Sequence, residues 1–108
     1  MKTGDIVLIP FPFAELTNRK VRPAIVVCET TDKYKDLVLC AISSVVPQTP
    51  SENEIILEPS AQNGLRKDSV LKVDRIVTAK RTDVIAAIGR INGPKLSKFK
   101  TQFKKLID

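Results

Sequence analysis

An arginine stands directly before a proline at the start of an apolar run, residues 23–30. A residue that precedes proline is pushed into extended geometry, and proline itself tolerates the first position of a strand. A guanidinium held in this way at Arg22 can grip a phosphate through two parallel hydrogen bonds. It can also stabilise the charge that builds up when a phosphate is attacked. The alternative is a surface arginine that pairs with a carboxylate.

Hydroxyl groups follow the next apolar run, residues 37–44, which ends in Ser43 and Ser44. A hydroxyl at the point where a buried strand meets solvent can hydrogen-bond a phosphate oxygen. Paired serines at the end of a strand are also typical of a simple turn. The residues leave both interpretations open.

A cation and a carboxylate, Lys72 and Asp74, stand two apart within the strand-like segment 70–80 and therefore on one face of it. Strict alternation places Arg75 on the opposite face. Lys72 and Asp74 could form an ordinary ion pair, or they could serve as acid and base in a site without histidine. A carboxylate base is most useful when it is buried, so we expect burial of Asp74 in the second case.

Histidine is absent from the whole chain, which contains 108 residues and two cysteines. This excludes Ser-His-Asp and Cys-His nucleophile systems, phosphodiesterases built on paired histidines, and histidine-rich zinc sites. Two cysteines alone cannot complete a tetrahedral Cys₄ site, so we expect neither a metal nor a cofactor. Cys28 and Cys40 lie in apolar strand patterns and are expected to be buried thiols.

Positive charge is in excess, with 18 Lys and Arg against 12 Asp and Glu and a formal net charge of +6. Such a balance favours a polyanionic partner or simply supports solubility. The segment 14–21 is predicted to be a loop and contains Asn18, Arg19 and Lys20. It is either a solvated loop or a mobile basic lid over a nucleic-acid strand.

Short strands followed by one helix predict a single domain, 1–108, built as a small and strongly bent antiparallel barrel. Neither a signal peptide nor a membrane-spanning run is apparent, so we expect a cytoplasmic protein without a membrane partner. The apolar residues of the helix recur at helical spacing on one face and are expected to pack on the barrel. These residues are Leu96, Phe99, Phe103, Leu106 and Ile107. The predicted strands are 5–13, 23–30, 37–44, 54–58, 70–80 and 84–91, and the predicted helix is 95–107.

The segments "GDIVLIPFPF", "RPAIVV", "AIS" and "GLRKDSVLKVDRI" follow one another in the order found in the PemK/MazF family of toxins. The chain resembles this family over residues 3–91. The resemblance implies a mainly β, SH3-like antiparallel barrel of the PemK/MazF/CcdB type with a C-terminal helix, assembled as a homodimer. It also implies a toxin of a type II toxin–antitoxin system, whose partner is a cognate antitoxin with an acidic tail.

The resemblance further implies a metal-independent endoribonuclease that cuts single-stranded RNA, often messenger RNA, and leaves 2′,3′-cyclic phosphate and 5′-hydroxyl ends. The family's catalytic arginine falls on Arg22, and its frequent threonine falls on Ser43. Arg22 would stabilise the phosphorane and assist protonation of the leaving oxygen, while Ser43 would orient a phosphate oxygen. Asp74 is the candidate base beside Lys72.

Three features depart from the family pattern. Ser43 stands where the family often has threonine, Arg75 stands where some members have glutamine, and the histidine that some members use in the first loop is missing. Contact with RNA would then fall to other residues, namely Asn18, Arg19, Lys20, Ser44 and Arg75. The missing histidine and the change from threonine to serine leave open a non-catalytic RNA- or protein-binding module of the same fold. A toxin directed at gyrase is a further alternative on this fold.

Overall fold

The computed structural model describes residues 1–11 and 20–108, and over these residues the chain forms six strands and one α-helix. All neighbouring strands pair antiparallel, in the order β4-β5-β3-β2-β1-β6. The sheet curls into a half-barrel with the helix at the C-terminal end of the chain, which confirms the predicted fold class. The strands are β1 (Asp5–Phe11), β2 (Lys20–Glu29), β3 (Leu37–Ser43), β4 (Glu54–Leu57), β5 (Ser69–Ala79) and β6 (Ala86–Arg90), and the helix is α1 (Gly93–Lys105).

The interior strands bury both of their faces, as their apolar runs predict. Along β2, Ile25 packs in one apolar cluster while its neighbours Ala24 and Val26 pack in a second cluster on the other face. The first cluster is the main core, and Phe99 of α1, only 1% exposed, packs into it. The remaining members of the main core are Ile6, Cys40, Ile42, Ile55, Leu57, Leu65, Leu71, Val73 and Ile91.

The β2 strand begins at Lys20, whereas the sequence predicts a loop up to residue 21. Pro23 does not mark the beginning of the strand, because it pairs with Leu8 of β1 inside the ladder. Pairing of β2 with β3 begins only at Ala24. The first residues of β2 therefore have β1 as their described neighbour and lie at a local sheet edge, where proline is tolerated.

The connection between β4 and β5 bridges the two edge strands of the sheet. The backbone N–H of Arg90 in β6 donates to the carbonyl of Gln62 at 3.0 Å. Asn63 is 7% exposed and organises this connection: its amide donates to the Glu58 carbonyl at 2.7 Å, and its side-chain oxygen accepts from the backbone N–H of Leu65 at 3.0 Å. A buried amide with these partners fixes the loop against β6.

The α1 helix begins at Gly93, two residues before the predicted start, and ends at Lys105. Pro94 lies in the first turn, where its missing N–H costs nothing. Phe99 and Phe103 pack with ring centroids 5.9 Å apart. Ile107 lies beyond the helix end and is 90% exposed, so its predicted place on the buried face is wrong. No helix within residues 1–11 and 20–108 is long and apolar enough to cross a membrane.

Candidate active site

A large bulge in β5 builds one wall of the candidate site. Cys40 of β3 pairs with Ile76, and Ile42 pairs with Leu71, so Ala41 alone faces residues 72–75 of β5. Bulges of this kind bend a strand and redirect its side chains, and they are common next to active sites. The strict alternation predicted for residues 70–80 is therefore wrong at this point. Arg75 lies on the same concave surface as Lys72 and Asp74 rather than opposite them.

The other wall comes from the beginning of β2. Arg22 pairs with Ile9 of β1 and lies two residues before the first β2–β3 pair, which joins Ala24 to Ala41. Continuing that antiparallel register by two residues places Arg22 level with Ser43 at the end of β3. The strand register thus places Arg22 where β3 ends and the sheet opens. Its extended backbone agrees with the geometry expected before proline, although the strand already begins at Lys20.

Between these walls lies an open cleft of about 550 Å³. This volume falls within the range of ligand-binding clefts. The polar side chains that line it are Arg22, Ser43, Lys72, Asp74 and Arg75. The structure therefore brings together all four predicted catalytic residues and one predicted RNA contact.

Sequence reasoning missed the apolar part of this cleft. Val45, Ile76 and Val77 also line it, and the first two are 76% and 45% exposed. Exposed apolar side chains between cationic ones suit a ligand with both a flat apolar face and charge, as a nucleotide has. The alternating pattern of residues 70–80 gave no signal that Ile76 and Val77 would face a cleft, and Val45 lies just beyond the predicted strand 37–44.

Ser43 forms a turn, and its hydroxyl is also available to a ligand, so the two interpretations of this serine are compatible. Its Oγ accepts a hydrogen bond from the backbone N–H of Val45 at 3.1 Å, which forms a turn. A hydroxyl that accepts one bond still carries a proton to donate, so it can hydrogen-bond an anionic oxygen in the cleft. Ser44 is exposed and is not among the residues that line the cleft.

Lys72 lies directly across the β4–β5 ladder from Glu54. The pKa of Glu54 is lowered, mainly by the hydrogen bond from the backbone N–H of Ser51 and further by the charge of Lys72. Within the part of the chain that the structure describes, no ion pair within 4.0 Å joins Lys72 to Asp74. Lys72 therefore contributes a positive charge to the cleft wall without a direct bond to the candidate base.

Asp74 is exposed on the cleft wall, so the burial expected of a base is not found. The bulge carries its side chain outward while the backbone of neighbouring Val73 stays in contact with the core. Cys40 Sγ donates to the Val73 carbonyl at 3.3 Å. Of the predicted basic lid, Lys20 is an exposed residue of β2, and Asn18 and Arg19 lie outside the described residues.

The two cysteines differ sharply. Cys40 is buried as predicted, but Cys28 is exposed, contrary to the prediction. The register of β2 against β3 shifts between Val26 and Cys28, and this shift turns Cys28 away from the face that alternation assigns to it. Burial, with a smaller contribution from the charge of Asp74, raises the pKa of the Cys40 thiol to about 12.

We expect a thiol reagent at about pH 8 to modify Cys28 in the folded protein and to leave Cys40 intact. A protonated, buried thiol is a poor nucleophile, so Cys40 should react only in denaturant. Titration with a chromogenic disulfide should give one thiol per native chain and two per unfolded chain. A Cys28→Ser variant should show no reaction when native, and modification of native Cys40 would contradict the described packing.

Comparison with known protein families identifies the chain. A model of the PemK-like, MazF-like toxins of type II toxin–antitoxin systems matches residues 2–107. The chain belongs to this family. It is therefore a toxin of the type II toxin–antitoxin class, and the resemblance carried by "GDIV", "RPAIVV" and "GLRKDSV" is confirmed.

Solved structures agree on the fold of this toxin. The Mycobacterium tuberculosis toxin MazF-mt6 is 18% identical, with a TM-score of 0.69 and coverage of 96% of both chains. An endoribonuclease solved in complex with its cognate antitoxin, from a mycobacterial species, is 13% identical, with a TM-score of 0.74 and coverage of 97% of this toxin and 92% of that chain. A sequence comparison with curated proteins gives no match.

Proposed function

We propose that this toxin is a metal-independent endoribonuclease that cuts single-stranded RNA, including messenger RNA, in the cleft between β2, β3 and β5. The observation that carries the proposal is the convergence of Arg22, Ser43, Lys72 and Asp74 on that one cleft. These residues come from three strands, and they supply cations, a hydroxyl donor and a carboxylate. The similar mycobacterial structure described as an endoribonuclease supports the same activity.

The reaction begins with attack of an RNA 2′-hydroxyl on the adjacent phosphorus. The bond from O2′ to phosphorus forms, the bond from phosphorus to O5′ breaks, and the products are a 2′,3′-cyclic phosphate and a 5′-hydroxyl. Asp74 accepts the proton of the attacking hydroxyl. The leaving O5′ takes up a proton from solvent water while Arg22 donates a hydrogen bond to that oxygen, and Asp74 afterwards returns its proton to solvent, so that no net proton is gained or lost.

Arg22 also stabilises the charge of the phosphorane, because a guanidinium can hold two of its oxygens at once. Ser43 donates its hydroxyl proton to a phosphate oxygen and so orients the scissile group. Lys72 adds positive potential from the opposite wall. This division of labour needs no imidazole, in agreement with a chain that has no histidine.

RNA contacts outside the reacting phosphate fall to Arg75 on the cleft wall, to Lys20 and Ser44 beside it, and to Asn18 and Arg19. The apolar side chains of Val45 and Ile76 give a base a surface on which to lie. His, Cys, Asp and Glu side chains in the described segments form no group of three that could hold a metal ion. The proposed reaction uses the side chains alone.

The partners proposed for the toxin are a second copy of the chain and a cognate antitoxin with an acidic tail. The net charge of +6 suits both RNA and an acidic tail, which would compete for one basic surface. The similar mycobacterial toxin was solved with its antitoxin. Homodimer formation is proposed from family membership.

The proposal is tested by incubating the purified toxin with a long single-stranded RNA in excess chelator and mapping the cut sites. We expect discrete cuts at a short sequence, unaffected by the chelator. Binding of RNA without any cut would contradict the nuclease and leave the binding module. Inhibition of gyrase with intact RNA would contradict it in favour of the gyrase-directed function.

A further inference from the structure

A second pocket lies beyond the β3–β5 ladder, at the opposite end from Ser43. The turn before β3 and the residues after β5 enclose about 430 Å³ there. Its lining includes Tyr34 and Asp36 on one side and Lys80, Arg81 and Thr82 on the other. The pair Leu37–Ala79, the last of the ladder, directly adjoins the lining residues Asp36 and Lys80 along the chain.

Tyr34 presents an aromatic ring to solvent from a rigid turn. Tyr34 is 65% exposed, and Lys33 Nζ lies 5.2 Å from the centroid of its ring. Asp32 accepts hydrogen bonds from the Thr30 hydroxyl at 2.8 Å and from the Tyr34 backbone N–H at 3.2 Å. These bonds order the backbone of the turn, so binding need not pay to order that backbone.

Charges of both signs lie near this ring. Lys80 and Arg81 line the pocket together with Asp36, and Lys33 Nζ lies over one face of the ring. An ion pair of 3.0 Å between Arg81 Nη2 and Glu29 Oε2 fixes the position of the guanidinium. Asp36 adds an acceptor that suits a ribose hydroxyl or a base amine rather than a phosphate. An exposed aromatic ring among cations is the arrangement by which proteins hold unpaired nucleotides.

The pocket also lies close to the candidate active site. Val77 on the near rim of the cleft and Lys80, directly after β5, are three residues apart, roughly 10 Å along extended backbone. Ser43 lies at the far end of the β3–β5 ladder, six residues of β3 or roughly 20 Å from Leu37, so a strand that fills both sites places a base in the second pocket several nucleotides from the cut. One continuous RNA strand can therefore occupy the cleft and the second pocket at the same time.

We propose that the pocket formed by Tyr34, Lys80 and Arg81 is an accessory subsite that stacks one base of the single-stranded RNA outside the cleavage sequence. The inference rests on the proposed function, because the ligand is the same RNA strand. The subsite makes binding depend on RNA length. It discriminates little between bases, because every base offers a face for stacking.

The chain offers a direct probe of this stacking. It contains one tyrosine and no tryptophan, so tyrosyl fluorescence reports on Tyr34 alone. Two 2′-O-methyl oligonucleotides that contain the mapped cut sequence are compared, one of about five nucleotides and one of about fifteen. They cannot be cut by the proposed reaction. We expect the longer one to quench the fluorescence and the shorter one to bind without quenching.

A Tyr34→Ala variant should bind the longer oligonucleotide about tenfold more weakly and the shorter one unchanged. Tyr34→Phe keeps an aromatic face and should bind both like the parent protein. Lys80→Gln should reduce the salt dependence of binding to the longer oligonucleotide by about 0.7 in logarithmic slope. The matched control Lys98→Gln removes the same charge from an exposed position on α1. It should leave the salt dependence of binding unchanged.

The outcomes separate this inference from the nuclease proposal. RNA that is cut and bound with unchanged fluorescence, and equally well by Tyr34→Ala, overturns the subsite and leaves the nuclease standing. If Tyr34→Ala binds an acidic antitoxin peptide more weakly and RNA as well as the parent protein does, the RNA subsite is overturned in favour of a protein-binding surface. Failure of the longer oligonucleotide to bind, while unmodified RNA is cut at the mapped site, overturns the subsite and leaves the nuclease standing, because the nuclease is decided by the mapped cuts alone.

Discussion

Arg22→Ala is expected to lower the rate of RNA cleavage by about 10² to 10³, the loss seen when one donor to a developing charge is removed. The Arg22 guanidinium lies level with Ser43 and can hold two phosphorane oxygens in one plane, whereas the second guanidinium of the cleft, Arg75, lies on the β5 wall. Alanine leaves the negative charge with less stabilisation in the transition state. The rate is measured at saturating RNA with a labelled substrate that contains one mapped cut site.

Arg22→Lys separates charge from geometry. Lysine restores one positive charge but not the planar fork, so we expect it to recover binding of RNA and only a small part of the rate. Lys98→Ala is the matched control, because it removes one positive charge outside the cleft. This variant should cut RNA at the rate of the parent protein. Thermal unfolding checks that the Arg22 variants stay folded, and a folded Arg22→Ala protein that cuts normally would contradict the role of this residue.

Gly64→Ala is expected to destabilise the toxin by at least about 3 kcal/mol. Gly64 has φ of +70°, and a Cβ built there would lie 2.8 Å from the carbonyl carbon of Ile88 and closer still to its oxygen. Both atoms belong to backbone in β6, so the clash cannot be relieved by a side-chain rotation. The connection fixed by Asn63 would have to move away from the edge of the sheet.

Gly93→Ala is the matched control for this effect. Gly93 also has a positive φ, +57°, but a Cβ there would meet nothing within 4 Å. The free energy of unfolding should therefore fall only by the strain of an L-residue in the left-handed region, about 1–2 kcal/mol. Urea unfolding of both variants gives the comparison. Equal destabilisation of the two would show that the packing of Gly64 against β6 does not contribute to closing the half-barrel.

The elements that were predictable from the sequence are those whose pattern is local. The apolar runs at residues 23–30 and 37–44 identify interior strands, because burial on both faces removes polar residues from a strand. The spacing of Leu96, Phe99 and Phe103 likewise identifies the helix. The extended backbone of Arg22 could be predicted because the proline that follows it restricts that backbone whatever the rest of the fold does, but its place in the cleft depends on the neighbouring strands.

The errors fall where one strand pairs irregularly with another. Cys28 is exposed because a register shift interrupts alternation in β2, and Arg75 joins Lys72 and Asp74 because four residues of β5 face one residue of β3. A bulge depends on the partner strand, so the sequence of one strand does not reveal it. The same bulge exposes Asp74, which sequence reasoning expected to be buried. Tyr34 was also overlooked, because its neighbours in the pocket come from residues 80–82, far along the chain.

The most direct test of the account is the chemistry of the cut. An RNA that contains one mapped cleavage site is prepared with a single 2′-deoxy nucleotide on the 5′ side of the scissile phosphate. We predict that this RNA binds like the parent RNA and is not cut, while the parent RNA gives a 2′,3′-cyclic phosphate and a 5′-hydroxyl in chelator. Cleavage of the 2′-deoxy RNA at the same bond would contradict attack by the 2′-hydroxyl, and with it the proposed roles of Arg22, Ser43 and Asp74.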